Sequence, residues 1–279
     1  VAELHPHTGL RVVTDGDAPA DVLLIGGIAE DSAAWEAQVA ALSAAHRVIR
    51  YDARGVGTSP APLGPYSLDE LVDDAVAVLD AAWSSHAHIV GSSLGSAIAQ
   101  RLALDHPDRV LSLTLSGGYA AADRAFSALA DGWVYSAVRA RSLGELLAIV
   151  NRWAYGPDAW NSGLVDIRVA EREQELEGAG EDERWELIQE AFIWTVTAAL
   201  EHDAESELQR INVPTLVLVG EHDAILPPVY SRRLAELIPD SELVVVDHAG
   251  HQVFQEAPAV FNDLLLGFLH QQALQRLAA

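Results

Sequence analysis

The stretch Gly91-Ser92-Ser93-Leu94-Gly95 constrains this chain more than any other. An apolar run, Ile89-Val90, leads into it, and an apolar helical pattern, Ala97-Ile98-Ala99, leads out. Gly-x-Ser-x-Gly between a strand and a helix predicts a tight, strained turn with Ser93 at its tip. The glycines are needed because such a turn brings the backbone two residues before and two residues after the serine too close for a Cβ. The pattern by itself is weak: with glycine and serine each near ~7% of residues, a chain this long holds roughly 0.1 copies by chance. It acquires meaning only with a strand before it, a helix after it, and an acid and a histidine further along.

The 279 residues, half of them apolar, suffice for one sizeable core, so one large domain, or one domain with an insertion, is expected. Seventeen basic against forty-one acidic residues give a formal charge of −24, which disfavours nucleic acid or an anionic membrane as partner. Every basic residue is arginine, and lysine, cysteine and methionine are absent. Without cysteine there is no disulfide framework, no thiolate-held zinc and no thiol nucleophile. The opening residues 1–7 carry neither a basic n-region nor an apolar h-region, and no run of 18 apolar residues occurs, so a cytoplasmic protein is expected.

Strands are expected at 11–15, 21–26, 47–51, in the run from His88 into Gly91, and at 110–116, 214–220 and 242–247. Helices are expected at 33–45, from an N-cap at Ser67 to about 82, at 94–106, 228–238 and 258–277. Between 119 and 208 the alternation stops. That stretch is helical in composition, has a polar break at 177–180, and holds five of the seven tryptophans, Trp133, Trp153, Trp160, Trp185 and Trp194, with eighteen acids against seven arginines. Strand–helix alternation on both sides of an insertion predicts an α/β fold: a mostly parallel, doubly covered sheet built from 1–118 and 209–279, carrying a helical cap at 119–208.

A serine hydroxyl is a poor nucleophile until a base stands within hydrogen-bond reach, held in turn by an acid. The two strands after the insertion each offer a candidate: Glu221-His222-Asp223 follows one, and Asp247-His248-Ala249-Gly250-His251 follows the other. Asp223 is the expected acid, with Glu221 as a solvated rival. His251 is the expected base, because it closes a glycine-containing loop before the last helix; His248 is its rival, expected to pack or bond locally. An oxyanion needs two backbone N–H donors, expected from Leu94 and from Ile28 in the Gly26-Gly27-Ile28-Ala29 loop.

The segments Arg50-Tyr51-Asp52-x-Arg54-Gly55-x-Gly57-x-Ser59, Gly64-Pro65-Tyr66-Ser67-Leu68, Gly91-x-Ser93-Leu94-Gly95 and Gly220-x-His222-Asp223 carry a resemblance. Over essentially its whole length the chain resembles the α/β-hydrolase superfamily, and within it the 3-oxoadipate enol-lactonases and related small esterases. The resemblance implies an acyl-enzyme on Ser93 and gives the 52–59 loop a scaffolding role. Two positions depart from the common pattern: Gly26 stands where many members have histidine, and Ser96 where many have a third glycine, with no functional consequence expected at Ser96.

The expected activity is therefore hydrolysis of a carboxylic ester or lactone without a cofactor. An acidic cap disfavours an anionic substrate, and its tryptophans point to an apolar or aromatic small molecule, although most of them are expected merely to bind the cap helices together. The run 171–186 reads as a solvated face. Thioesterase, acyltransferase, perhydrolase and C–C bond hydrolase chemistry remain open on the same residues, as does a non-catalytic binder. No metal site is expected, since His5/His7 and His86/His88 lack carboxylates at matching spacing. Oligomeric state is left open.

Overall fold

The computed structural model describes residues 2–4, 9–177 and 181–278. The His5/His7 pair and most of the polar break at 177–180 lie outside the described residues. The strands are β1 (Ala2–Leu4), β2 (Arg11–Asp15), β3 (Asp21–Ile25), β4 (Arg47–Tyr51), β5 (Ala87–Ser92), β6 (Val110–Ser116), β7 (Thr215–Gly220) and β8 (Ser241–Val246). They form one eight-stranded sheet in the order β1-β2-β4-β3-β5-β6-β7-β8. β1 and β2 run antiparallel, whereas β4 through β8 and β3 pair in parallel.

Successive side chains on a strand point to opposite faces, so a strand buried on both sides reads as a continuous apolar run. Asp21–Ile25 is buried at every position. Leu23, Ile25, Ile89, Leu113 and Val217 pack into one cluster with α2 (Leu68–Ala81) and α3 (Leu94–Asp105). Val22, Leu24, Val90, Leu216 and Leu218 pack into a second with α1 (Glu36–Leu42) and α11 (Pro258–Ala278). The doubly covered sheet expected from the alternation is present.

Local chemistry sets the boundaries. Ser67 and Glu70 close a reciprocal capping box at the start of α2, as the Ser67 N-cap predicts. The single helix expected over 33–45 is instead a 3-10 turn, Ser32–Trp35, followed by the shorter α1. Asp31 accepts the Ala33 N–H at 3.0 Å, and the buried Trp35 stacks on Phe254 with ring centroids 4.0 Å apart. Capping and burial at Trp35 thus open the segment with a tight turn.

Between β6 and β7 run α4 (Arg124–Ala137), α5 (Leu143–Ala154), α6 (Pro157–Asn161), α7 (Leu164–Glu177) and α8 (Glu181–Leu200). The two ends of this insertion are tied together: Ala122 N–H donates to His202 O at 2.9 Å, and Ala204 N–H to Ala120 O at 2.8 Å. His202 is buried beside this junction, and burial pushes its imidazole down to about 4. The remaining helices, α9 (Pro228–Leu237) and the short α10 (Val253–Glu256), flank β8 in the chain. Among the described residues no helix is long and apolar enough to cross a membrane.

Candidate active site

Ser93 sits between β5 and α3 with φ 55° and ψ −117°. A non-glycine residue at positive φ costs on the order of 1–3 kcal/mol and persists only where its surroundings enforce it. Here they do. Ser93 N–H donates to Ser116 O at 2.9 Å, which continues the parallel pairing of β5 with β6. A Cβ at Gly91 would run into the Gly95 carbonyl, and one at Gly95 into the Ile25 carbonyl, so both glycines are required by backbone contact. Ser96 takes the place of a third glycine; its Oγ accepts from Gln100 Nε2 at 3.2 Å and fills the space above Gly118.

Asp223, in the loop after β7, is held by its own backbone. Its Oδ1 accepts the N–H groups of Ile225 and Leu226 at 2.9 and 2.8 Å. That leaves Oδ2 for His251 Nδ1, at 2.7 Å, with both side chains almost entirely buried. Burial alone would push the His251 imidazole down. The Asp223 charge and hydrogen bond outweigh it, helped by the nearby Glu30 and Glu256 carboxyls, and the net direction is up. Gly117, at φ 53°, lies beneath this pair: a Cβ there would stand 3.0 Å from the His251 ring. Ser93 and His251 line one cavity.

The loop after β3 forms the opposite wall. Gly27 packs on Ser93, where a Cβ would lie 2.9 Å from the serine Cβ. Gly27 N–H donates to Glu30 Oε2, Glu30 N–H donates back to Gly27 O at 3.3 Å, and Ala29 between them adopts φ 61°. The other oxygen of Glu30 accepts from Gln252 Nε2, on the residue after His251. Burial pushes the Glu30 carboxyl up, against the opposing pull of these two bonds and of His251. No hydrogen-bond partner occurs for the N–H of Ile28 or of Leu94 among the described residues.

Glu256, on α10, gathers a second set of donors. Its carboxylate accepts N–H groups from Gly156 at 2.8 Å, from Gly250 at 3.0 Å and from Gln252 at 3.1 Å. Burial pushes this carboxyl up too, although the three backbone bonds and His251 resist. Sequence reasoning missed Glu30, Gln252 and Glu256. The signal within reach was the placement of Glu30 in the 26–30 loop and of Gln252 beside His251.

The cavity has a volume of about 160 Å³. Its apolar wall includes Ile28, Trp133, Leu147, Val150, Val169 and Ile225, and Glu30, Tyr155 and Arg168 add polar groups. Of the five tryptophans in the insertion, Trp133 is the one among the lining residues; Trp153 and Trp160 are exposed, and Trp194 packs against Gly64. The other four therefore bear on the packing and surface of the insertion. A helix has two faces, and composition alone does not say which one meets the cavity.

The rival residues lie elsewhere. Glu221 is half exposed, and His248 is exposed with its Nδ1 3.3 Å from Asp158 Oδ2. His86 is exposed beside Ser85, whereas His88 is buried and bonds Ser112 Oγ at 2.7 Å, so that pair does not converge. In the 52–59 loop the buried Asp52 accepts the N–H groups of Ser32 and Thr58 at 2.9 and 3.0 Å. Glu171 and Glu186 at the ends of the acidic run are exposed, and the side chains of 172–177 and 181–183 lie outside the described ones.

A sheet of this topology, with a serine on a strained turn after its central strand, defines a class. The sequence profile of the alpha/beta hydrolase fold matches residues 22–258, and the chain belongs to that family. A RutD protein from Azorhizobium caulinodans, whose name assigns it carbamate hydrolysis, is 34% identical over 256 residues, covering 88% of this chain and 90% of its own. The rhodomycin D methylesterase DauP of Streptomyces sp. strain C5 is 34% identical over 260 residues, covering 84% and 85%. Among solved structures, the enol-lactonase of Burkholderia xenovorans superimposes with a TM-score of 0.81 at 28% identity, over 97% of this chain and all of the other. The relatives are hydrolases by name.

Proposed function

We propose that this protein is a serine hydrolase of carboxylic esters or lactones that works through an acyl-enzyme. In this reading Ser93 Oγ attacks the acyl carbonyl while the neutral His251 takes its proton. Asp223 holds the imidazole in the required orientation and stabilises the imidazolium. The developing oxyanion accepts the N–H groups of Leu94 and Ile28, and His251 returns the proton to the leaving alkoxide. Water that gives its proton to His251 then attacks the acyl-enzyme carbonyl, the acyl bond to Ser93 Oγ breaks, and His251 returns the proton to Oγ as the acid departs. The single observation that carries the reading is the 2.7 Å contact between His251 Nδ1 and Asp223 Oδ2, buried beside a serine at positive φ.

The substrate we infer is a neutral small molecule with an apolar or aromatic group. An apolar cavity of ~150 Å³ accommodates benzene, and the cavity here is about 160 Å³, with an aliphatic and indole wall beside the polar Glu30, Tyr155 and Arg168. Residues 119–208 serve as the cap that shapes it. Neither nucleic acid nor a membrane enters this reading, and the cytoplasm is kept as its compartment on the sequence reading alone. The RutD relatives favour a second acyl group, a carbamate, on the same residues.

The test is turnover of p-nitrophenyl acetate and butyrate, methyl benzoate, a simple lactone and a simple carbamate by purified protein, beside Ser93→Ala. The reading expects Ser93-dependent hydrolysis of esters or lactones. Hydrolysis of the carbamate alone would move the substrate class. Turnover that survives Ser93→Ala, or none on any acyl substrate, would sink it.

A further inference from the structure

Outside the cavity, two loops bring together three side chains of a different chemistry. Glu221 and His222 follow β7, and His248 follows β8, 26 residues later in the chain. One ligand atom from each, a carboxylate oxygen and two imidazole nitrogens, lies within 4.8 Å of the other two. We propose that Glu221, His222 and His248 form a binding site for one divalent transition-metal ion of the zinc type, at the seam between sheet and cap.

The backbone beneath these residues is fixed. Glu221 N–H donates to Val246 O at 2.9 Å and His222 N–H to Ala249 O at 2.8 Å, so the two loops cannot drift apart. His248 adopts φ 62°, a conformation that side chains other than glycine seldom take, and its N–H donates to Glu221 Oε2 at 3.2 Å. His222 Nε2 stands 3.6 Å from the same oxygen, and the two imidazole rings meet edge to face with centroids 6.4 Å apart. Ligands around tetrahedral zinc, bound at about 2.0–2.2 Å, lie roughly 3.4 Å from one another. Exposed side chains reach that spacing by small torsional adjustments.

A further residue supports the site. Asp158, on α6 in the insertion, places Oδ2 3.3 Å from His248 Nδ1. A histidine that binds metal through one nitrogen commonly donates its other N–H to a carboxylate, which fixes the tautomer. With Nδ1–H on Asp158, His248 presents Nε2 to the ion. Two imidazoles select zinc, nickel, cobalt or copper over magnesium or calcium, which prefer oxygen donors. One carboxylate ligand with a second beside it balances the ion's two charges. The loops involved also carry Asp223 and His251, and Asp158 belongs to the insertion, so a bound ion would tie the cap to both loops. The ester chemistry itself does not pass through it.

The experiment uses the full chain without an affinity tag, stripped with EDTA and exchanged into chelator-free buffer. Zinc, cobalt and magnesium chlorides are titrated separately by calorimetry, with visible absorption followed for cobalt. The expected result is one zinc per chain, a cobalt d–d band, a raised melting temperature with zinc, and no comparable binding of magnesium. His222→Ala combined with His248→Ala abolishes this binding, Glu221→Gln weakens it, and Asp158→Asn weakens it by roughly tenfold. The exposed His270→Ala is the control and binds as the parent does. Melting temperatures in EDTA verify that each variant is folded. A double variant that binds zinc like the parent, a parent that binds none, or magnesium binding of equal strength would overturn the proposal. Unchanged affinity in Asp158→Asn would overturn the link to the cap. The readout is binding, so it stands apart from the outcome with Ser93.

Discussion

The backbone N–H of His251 donates to the carbonyl of Ala154, the last residue of α5, at 2.9 Å. Gln252 N–H reaches the same carbonyl at 3.1 Å, and Glu256 gathers Gly156, Gly250 and Gln252 around it. The loop that carries the proposed base is thus bonded to a helix of the insertion. That loop is anchored to the insertion as well as to the sheet.

Glu256→Ala should therefore reach both stability and rate. It deprives the part-buried Gly156 and Gly250 N–H groups of their acceptor, while Gln252 N–H keeps the Ala154 carbonyl, and each buried donor left unpaired costs roughly 1–3 kcal/mol. We expect a loss of at least about 2 kcal/mol in denaturant unfolding and a fall in kcat toward p-nitrophenyl acetate. Glu256→Gln keeps an acceptor oxygen and should recover part of each. A normal kcat in Glu256→Ala would show that Glu256 is not needed to position His251.

The pH dependence follows from the charges around His251. Its imidazole is raised above the ordinary 6.5 because Asp223, Glu30 and Glu256 together outweigh burial. The proposed reaction needs the neutral ring, so the acidic limb of kcat/KM should be centred above 6.5. Stability runs the other way: a raised imidazole contributes fully below the unfolded value, and the contribution is lost as pH rises through the folded one. Glu30→Gln removes one of the charges and should move the limb to lower pH. It should also lower kcat, by less than the roughly 10²–10³-fold that loss of an oxyanion donor costs. A pH–rate profile of both proteins checks this, and an unmoved limb would remove Glu30 from the electrostatics of His251.

Gly95→Ala places a methyl group against the Ile25 carbonyl. Backbone has little room to yield between β3 and α3. We expect a loss of about 1–3 kcal/mol or more, as for other overpacked cores, together with loss of esterase activity. Ser96→Ala on the next residue should be mild, and comparison of the two unfolding curves isolates the backbone clash.

Val169→Trp tests the cavity wall. Val169 is half-buried on α7 and lines the cavity. The larger ring should exclude longer acyl chains first, lowering the butyrate-to-acetate ratio of kcat/KM by about tenfold or more. An unchanged ratio would place the acyl group elsewhere.

Most of the framework was legible because its signals are local. The buried strands Asp21–Ile25 and Thr215–Gly220 read as apolar runs, and Ser67 announced α2 through its own side chain. β1 and α10, three and four residues long, fall below the length at which periodicity speaks. Of the five tryptophans of the insertion, Trp133 alone is among the cavity-lining residues, in keeping with the expectation that most of them serve packing.

By itself the sequence determined the turn at Ser93, because Gly91 and Gly95 are needed wherever a strand doubles back into a helix this tightly. It also singled out Asp223 and His251, since each follows a strand of the same sheet and parallel strands deliver their following loops to one edge. Tertiary structure alone decided what surrounds them. Glu30 meets Gln252 across 222 residues of chain, Glu256 meets Gly156 across 100, and Asp158 meets His248 across the boundary of an insertion. Contacts at such separations depend on how loops from different strands fold onto one another, and no local spacing in the chain encodes that.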